Sequence, residues 1–133
     1  MTLIQLAYKL RPLIEKAAVS LDDQNASEGV QLFPRLQRDG RLVKAGTRVN
    51  WHGVIKRAAV DLWDTRANDP DHAPTLWEDI GYRAGFRIAP DAFTSTNAAV
   101  RGEYLWFGDI LYQSLMDGNV FTPSQAPEAW EMV

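Results

Sequence analysis

Five tryptophans are the side chains in this chain of 133 residues that are best suited to binding chemistry. They are Trp51, Trp63, Trp77, Trp106 and Trp130. An indole ring offers a large apolar surface with an electron-rich face, so it can stack on the C–H face of a sugar or on a partner protein. Small β modules also use such rings to fill a core. The spacing around each ring must decide between these roles.

The sequence Ala-Pro-X-X-Trp-Glu occurs twice, at 73–78 and at 126–131. A proline just before Trp77 and before Trp130 places each ring at the end of a module, where a large side chain can close the core. We therefore expect both rings, together with Tyr112, to be structural. The better candidates for binding a carbohydrate or a partner protein are Trp51, Trp63, Trp106 and Phe107. For these, both kinds of partner are compatible with the sequence.

Catalytic and metal-binding motifs are missing from the sequence. The acidic loop containing Asp64, Asp69, Asp71 and His72 matches no Ca²⁺ or Zn²⁺ spacing, so we expect a solvated loop. There is no cysteine, which excludes disulfides and thiolate ligands. No nucleophile elbow, phosphate-binding loop or zinc-protease motif is present. We predict a protein that is not an enzyme and that uses no cofactor or metal.

Composition and charge narrow the possible partners. The formal net charge is −3, and the charged residues of both signs are mixed along the chain, which argues against nucleic acid as a partner. No apolar run reaches the roughly 18 residues of a membrane helix, so we expect no membrane insertion. The amino terminus lacks the basic-then-apolar order of a signal peptide. The hydrophobic share of 46% and the charged share of 23% are typical of a globular chain.

Two short β-hairpins must position the aromatic rings. Alternation over 47–51, the His-Gly pair at 52–53 and the alternating apolar positions of 54–62 predict the first hairpin. Aromatic residues over 104–107, a Gly-Asp turn and the apolar run 110–112 predict the second. A lone hairpin is marginally stable in water, so each must bury one face.

The first 34 residues predict helices. Apolar residues recur at helical spacing over 2–21, and Pro12 should kink this helix or start a new one. A second short helix is expected to begin at Ser20 as its cap and to end at Gly29. The leucine stripe of the first helix can pack on the β modules or on copies of itself.

The predicted fold class is therefore α+β, with an N-terminal helical segment followed by two small antiparallel β modules. The expected domains are an attachment or oligomerisation segment at 1–34, a first β module at 35–81, a linker at 82–100 and a second β module at 101–133. The second β module is a divergent copy of the first.

The motifs of both modules resemble a known family. GTRVNWHGVIKRAA with APTLWEDI, and GEYLWFGDILYQS with NVFTP and PEAWEMV, resemble the small chitin-binding modules of carbohydrate-binding families five and twelve. They are still more similar to the tandem versions in tail, baseplate and fibre proteins of tailed phages, where a Leu-Phe-Pro step like the one at 32–34 follows a helix. The resemblance implies a twisted three-stranded module with Gly46 and Gly102 before its first strand. The positions near the implied sugar-stacking face, around Val60 and Leu115, are not aromatic.

From this resemblance we expect a non-enzymatic phage or prophage virion component, made in the host cytoplasm and incorporated into the particle. Its modules would contact cell-surface polysaccharide, and its partners would be other virion proteins and copies of itself, with a trimer favoured. The alternative is a purely structural capsid, neck or baseplate decoration or connector. A third hypothesis, a secreted module that accompanies a glycan-degrading enzyme, is opposed by the missing signal peptide and catalytic domain.

Overall fold

A computed structural model describes residues 2–133 and combines an N-terminal helix with several small, mainly antiparallel sheets. The mixed α and β class predicted from the sequence is confirmed. The chain forms two compact units, Met1–Gly85 and Phe86–Val133. The boundary between them lies inside the stretch 82–100, which the sequence assigns to a linker.

Helix α1 (Leu3–Ala18) begins with a capping box between Thr2 and Gln5. Pro12 lies inside this helix, so the expectation that a new helix starts there is wrong. The helix is exposed over almost its full length, and Ala18 is its buried residue. Its apolar stripe therefore packs on the β module only at the carboxyl end.

Helix α2 (Asp23–Glu28) is capped by Asp22, whose Oδ1 accepts from the Asn25 N–H at 2.8 Å. The predicted cap at Ser20 is wrong, because the Ser20 hydroxyl donates to the carbonyl of Ala17 in the last turn of α1. Gly29 ends the helix, as expected from its sequence. The Asp23 carboxylate binds two arginines of the β module, Arg48 at 3.1 Å and Arg57 at 2.8 Å.

Unit 1 contains six short strands: β1 (Leu42–Val43), β2 (Arg48–Trp51), β3 (Val54–Ala58), β4 (Leu62–Trp63), β5 (Trp77–Asp79) and β6 (Tyr82–Arg83). Strands β2, β3 and β5 form an antiparallel sheet in that order, and β1 pairs with β4. The predicted return strand from 54 to 62 is too long, because β3 ends at Ala58 and the chain turns before β4. That turn lets Leu62 enter the core from a separate strand.

Two hydrophobic clusters stabilise unit 1. The first joins the helices to the back of the sheet and contains Ala18, Ala26, Phe33, Ile55 and Ile80. The second fills the β module and contains Val43, Val49, Ala58, Leu62 and Trp77. Trp77 thus packs among aliphatic side chains, which supply most of its favourable dispersion contacts.

Unit 2 contains β7 (Phe86–Ile88), β8 (Tyr104–Phe107), β9 (Ile110–Ser114) and β10 (Trp130–Met132), which lie side by side in the order β10-β9-β8-β7. The β7–β8 pair is parallel and the other two are antiparallel. The Arg87 guanidinium holds β7 in place through a bidentate pair with Glu103 at 3.0 and 3.2 Å. Part of the predicted linker therefore belongs to the second sheet.

The β modules of the two units share one hydrogen-bond frame. The Gly46 N–H donates to the Ala58 carbonyl at 2.7 Å, and the Gly102 N–H donates to the Ser114 carbonyl at 2.8 Å. Both glycines have a φ of +87°, which only glycine adopts without strain. Further matched bonds join Ala59 to Leu76, Leu115 to Ala129, Ala45 to Asp61 and Arg101 to Asp117. The internal duplication predicted from the sequence thus extends to the backbone.

Candidate functional site

The two closing tryptophans are buried in their units. The Trp77 indole N–H donates to the Asn68 carbonyl at 2.7 Å, and the Trp130 indole N–H donates to the Phe121 carbonyl at 3.0 Å. Because each ring is enclosed and its one donor is used, neither offers a face to a ligand. Tyr112 is half-buried and packs against the hydrophobic cluster of unit 2 that contains Trp130.

Trp51 is only 9% exposed, so its ring is not an open stacking surface. Its indole N–H donates to Asp71 Oδ1 at 3.2 Å, and its ring centroid lies 4.3 Å from that of the exposed His52. The hairpin turn explains this burial, because residue 51 ends β2 beneath the loop that carries Asp71. Trp51 can therefore form the floor of a site but not a flat sugar platform.

Trp63 is the most exposed of the five indoles, with 59% of its surface accessible. It lies on β4 opposite Leu42 of β1, which is also exposed. The Trp63 carbonyl accepts from the Asn68 side chain at 2.9 Å, which fixes the backbone that carries the ring. Among the four predicted binding residues, Trp63 has the geometry that suits stacking on a ligand.

Trp106 and Phe107 point to opposite faces of β8, because neighbouring strand residues alternate. Phe107 packs in the core, with its ring centroid 4.9 Å from that of Trp130 and 5.6 Å from that of Tyr112. Trp106 is half-buried and lies opposite Ile88 and Leu111 in the sheet register. Within unit 2, the structure therefore places Trp106 and Phe107 on opposite faces, and within unit 1 it buries Trp51 but exposes Trp63.

The Trp106 face of unit 2 carries further apolar residues that the sequence analysis did not select. Phe86 contacts Tyr104 in a tilted arrangement with ring centroids 5.3 Å apart, and Phe86 and Ile88 are both more than one-third exposed. This set was missed because the parallel pairing of β7 with β8 is a long-range feature that alternation within one strand does not reveal.

Two buried carboxylates organise the loops of unit 1. Asp64 accepts the N–H groups of Gln37 and Arg38 at 2.8 and 3.1 Å. Asp69 accepts the N–H groups of Asp71 and His72 and lies 2.7 Å from the His72 ring. Burial alone would raise the pKa of Asp69, but these hydrogen bonds outweigh it and hold that pKa below its ordinary value of 3.8.

The acidic loop is arranged for internal hydrogen bonding rather than for a metal. Across residues 2–133, no group of three or more histidine, aspartate or glutamate side chains is placed to hold a metal ion. The Asp69 carboxylate instead caps the turn that follows it, which is a common role for aspartate in loops. The loop therefore supports the architecture around Trp51 and Trp77.

A polar cleft of about 550 Å³ lies in unit 1 between the 35–38 loop and the turn of the β2–β3 hairpin. Its lining includes Arg35, Gln37, Arg38, Asn50, Trp51 and His52. A smaller cavity of about 340 Å³ adjoins it and shares Arg35, Asn50 and Gly53. Sequence reasoning missed this cleft because its cationic and amide residues come from two separated segments. The one available signal was the unexplained run Arg35-Leu36-Gln37-Arg38.

Neither the protein-family models nor the curated proteins compared with this chain match it. Among residues 2–133, no helix combines the length and the apolar character that crossing a bilayer requires.

Proposed function

We propose that this protein is a non-enzymatic component of a phage or prophage virion, such as a tail, baseplate or fibre appendage. In this proposal its two β modules are of the carbohydrate-binding type and contact polysaccharide on the host cell. The observation that supports it best is the repeated frame, in which Gly46 and Gly102 share both their φ angle and their hydrogen bond to the return strand. Such small repeated modules are suited to holding a ligand rather than transforming it.

Helix α1 is the proposed means of attachment and self-association. Its apolar residues follow the alternating three-and-four spacing of a coiled-coil seam: Leu3, Leu6, Leu10, Leu13 and Ala17. All five are exposed, and Leu3 is 85% exposed. Burying each leucine against a neighbouring copy would contribute about 1.5–3 kcal/mol, which favours a parallel bundle. We propose a homotrimer joined through this helix.

Light scattering on the full chain and on a variant that lacks residues 1–20 tests the trimer. We expect the full chain to be trimeric and the truncated chain to be monomeric, with the amide NMR signals of unit 2 unchanged. Signals of unit 1 should shift, because the truncation removes Ala18 from its core cluster. A second variant, Leu10→Asp, keeps the length of the chain and should also give monomers, whereas Lys9→Asp changes charge outside the seam and should stay trimeric. A full-length monomer would overturn this part of the proposal.

Trp63 provides the test of polysaccharide contact. A Trp63→Ala variant of the assembled oligomer should lose binding on an array of bacterial surface glycans, because it removes the most exposed of the five indoles. The matched control is Val100→Ala, an exposed apolar residue of unit 2, which should bind as the unchanged protein does. If the unchanged oligomer binds no glycan, the adhesion function fails.

A purely structural virion role, as a capsid, neck or baseplate decoration or connector, is the second candidate. It is favoured by the residues near the implied sugar-stacking positions, since Val60 and Leu115 are not aromatic. The Trp63→Ala variant also separates the two functions when it is incorporated into particles. Failed assembly supports the structural role, whereas normal particles that adsorb poorly to host cells support adhesion.

A further inference from the structure

We propose that the cleft between the 35–38 loop and the β2–β3 turn binds the carboxylate of an acidic saccharide. This inference deepens the proposed function, on which it rests for the nature of the ligand. The cleft volume of about 550 Å³ falls in the range of small-molecule sites, roughly 300–1,000 Å³.

Asn50 is the central donor of the cleft. It is only 6% exposed, and its side-chain Oδ1 accepts from the Gly53 N–H at 2.9 Å. That bond identifies the oxygen of the amide, so the Nδ2 group is the one left to bind a ligand. Within residues 2–133, Nδ2 makes no hydrogen bond, and Asn50 lines both adjoining cavities. Nδ2 is not among the enclosed, unpaired side-chain atoms of residues 2–133, so this donor is accessible from the cleft.

Two arginines supply positive charge at the rim. The Arg35 guanidinium is exposed and makes no ion pair or hydrogen bond within the described residues. Arg38 is placed by the Asp64 carboxylate, which accepts its backbone N–H, and its Nη2 lies 3.6 Å from Asp69 Oδ2. That distance is too long for a hydrogen bond, so most donors of the Arg38 guanidinium stay available.

The lining of the cleft is rich in donors and contains no aspartate or glutamate. Of the carboxylates nearby, Asp64 binds backbone N–H groups and Asp71 accepts from the Trp51 indole. Asp69 Oδ2 lies 3.6 Å from the Arg38 guanidinium, and Glu28 lines the adjoining smaller cavity. A planar guanidinium with a neighbouring amide N–H matches the two oxygens of a carboxylate. The chemistry therefore selects an anion that accepts several hydrogen bonds, although the whole chain has a net charge of −3.

A saccharide fits the remaining groups better than a bare anion. The Gln37 amide and the exposed His52 ring can hydrogen-bond to hydroxyl groups, and Trp51 forms an apolar floor. The matching position in unit 2 is occupied by Trp106, because Asn50 and Trp106 occupy the same register position in their hairpins. The cleft is therefore a property of unit 1, and three copies in a trimer would act together through avidity.

Isothermal titration and ¹⁵N–¹H NMR of the full chain with trigalacturonate test the proposal. We expect shifts of the Asn50 side-chain amide and of the 35–38 backbone signals. Replacement of the carboxylates by methyl esters should abolish binding. Arg35→Ala and Asn50→Asp should each weaken binding about tenfold or more, the loss typical of a charge-assisted hydrogen bond.

The variants are chosen so that unfolding cannot imitate a binding defect. Asn50→Asp keeps the oxygen that caps the turn, and Arg35 is exposed, so both variants should fold. Arg101→Ala, an exposed arginine of unit 2, is the matched control and should bind normally. The proposal is overturned if trigalacturonate does not bind. It is also overturned if Arg35→Ala and Asn50→Asp leave trigalacturonate binding unchanged. Binding of inorganic phosphate without trigalacturonate binding overturns the saccharide assignment.

The cleft and the virion function can fail separately. If the oligomer binds neutral surface glycans through Trp63 but ignores trigalacturonate, the cleft proposal is wrong and the proposed function stands. If trigalacturonate binds at Asn50 but particles adsorb to host cells independently of both sites, the cleft stands and host adhesion is wrong.

Discussion

The first β module closes its core with Ala58 and Leu62, whereas the second places Ser114 and Asn119 at the matching positions. Asn119 is fully buried, and its amide donates to the Ser114 hydroxyl at 3.0 Å and to the Ala129 carbonyl at 3.1 Å. Its Oδ1 accepts the Phe121 N–H at 3.2 Å. The same backbone frame thus holds an aliphatic pair in the first module and a hydrogen-bonded polar pair in the second.

The difference shows that the frame, rather than any one core side chain, is what the two modules have in common. A buried polar group is tolerated when every donor and acceptor has a partner, and Ser114 and Asn119 satisfy each other. The tryptophans differ in the same way, since Trp77 packs among aliphatic residues and Trp130 among the rings of Phe93 and Phe107. Each module therefore fills the same backbone frame with its own set of core side chains.

The largest effect is expected from removing the closing tryptophans. Trp77→Ala and Trp130→Ala should each lower the free energy of unfolding of their own unit by about 3–5 kcal/mol, because a large buried ring is lost. Urea unfolding followed by amide NMR, which separates the units, measures both losses. Trp63→Ala is the control and should change stability little, since its ring is 59% exposed. Equal losses for Trp63 and Trp130 would contradict the core assignment.

The polar pair should show strong coupling. Asn119→Leu alone should destabilise unit 2 by about 2 kcal/mol, because it leaves the Phe121 N–H without its acceptor. It also removes the amide donor that the Ser114 hydroxyl and the Ala129 carbonyl share. Adding Ser114→Ala recreates the pair of the first module and should recover about half of that loss. A double-mutant cycle on urea unfolding measures the coupling. Additive effects would show that the two side chains act independently.

The two units should differ in their stability to acid. The lowered pKa of Asp69 means that its ionised form stabilises unit 1 above the ordinary value of 3.8, and this stabilisation is lost as pH falls through the folded pKa. The buried polar residues of unit 2 are Ser114 and Asn119, which do not titrate. As the pH falls below the ordinary value of 3.8, NMR should therefore show unit 1 losing stability first. Asp69→Asn should reduce that pH dependence, and an unchanged profile would contradict the assignment.

The sequence predicts well those structural features that depend on local sequence patterns. The α+β class, the hairpin turns at 52–53 and 108–109 and the β strands that carry the closing tryptophans all follow from alternation and turn chemistry. The cap of α2 was assigned to Ser20 instead of Asp22 because both residue types cap helices well, and only the end of α1 decides between them.

The candidate sites depend on long-range packing, which sequence spacing does not contain. Trp51 and Trp63 look alike in sequence, yet one is buried beneath the acidic loop and the other is exposed on β4. The cleft around Asn50 likewise requires the 35–38 loop to approach a hairpin turn, and the Pro34 carbonyl that accepts the Asn50 N–H at 2.8 Å helps to fix that approach. No periodicity predicts this contact.

The smallest effect should distinguish the two hairpin turns. His52 and Gly53 both have positive φ, at 51° and 88°, as in a type I′ turn, whereas in the second hairpin Gly108 has a φ of 62° and Asp109 is not left-handed. Asparagine adopts the left-handed region more readily than alanine, and neither retains the His52 ring contact with Trp51. His52→Asn should therefore be more stable than His52→Ala by about 0.5 kcal/mol in thermal or urea unfolding of unit 1. At Asp109 the same pair of substitutions should show no such preference for asparagine, since that position has no left-handed backbone to favour it. A larger preference at Asp109 than at His52 would contradict the assignment of the turn types.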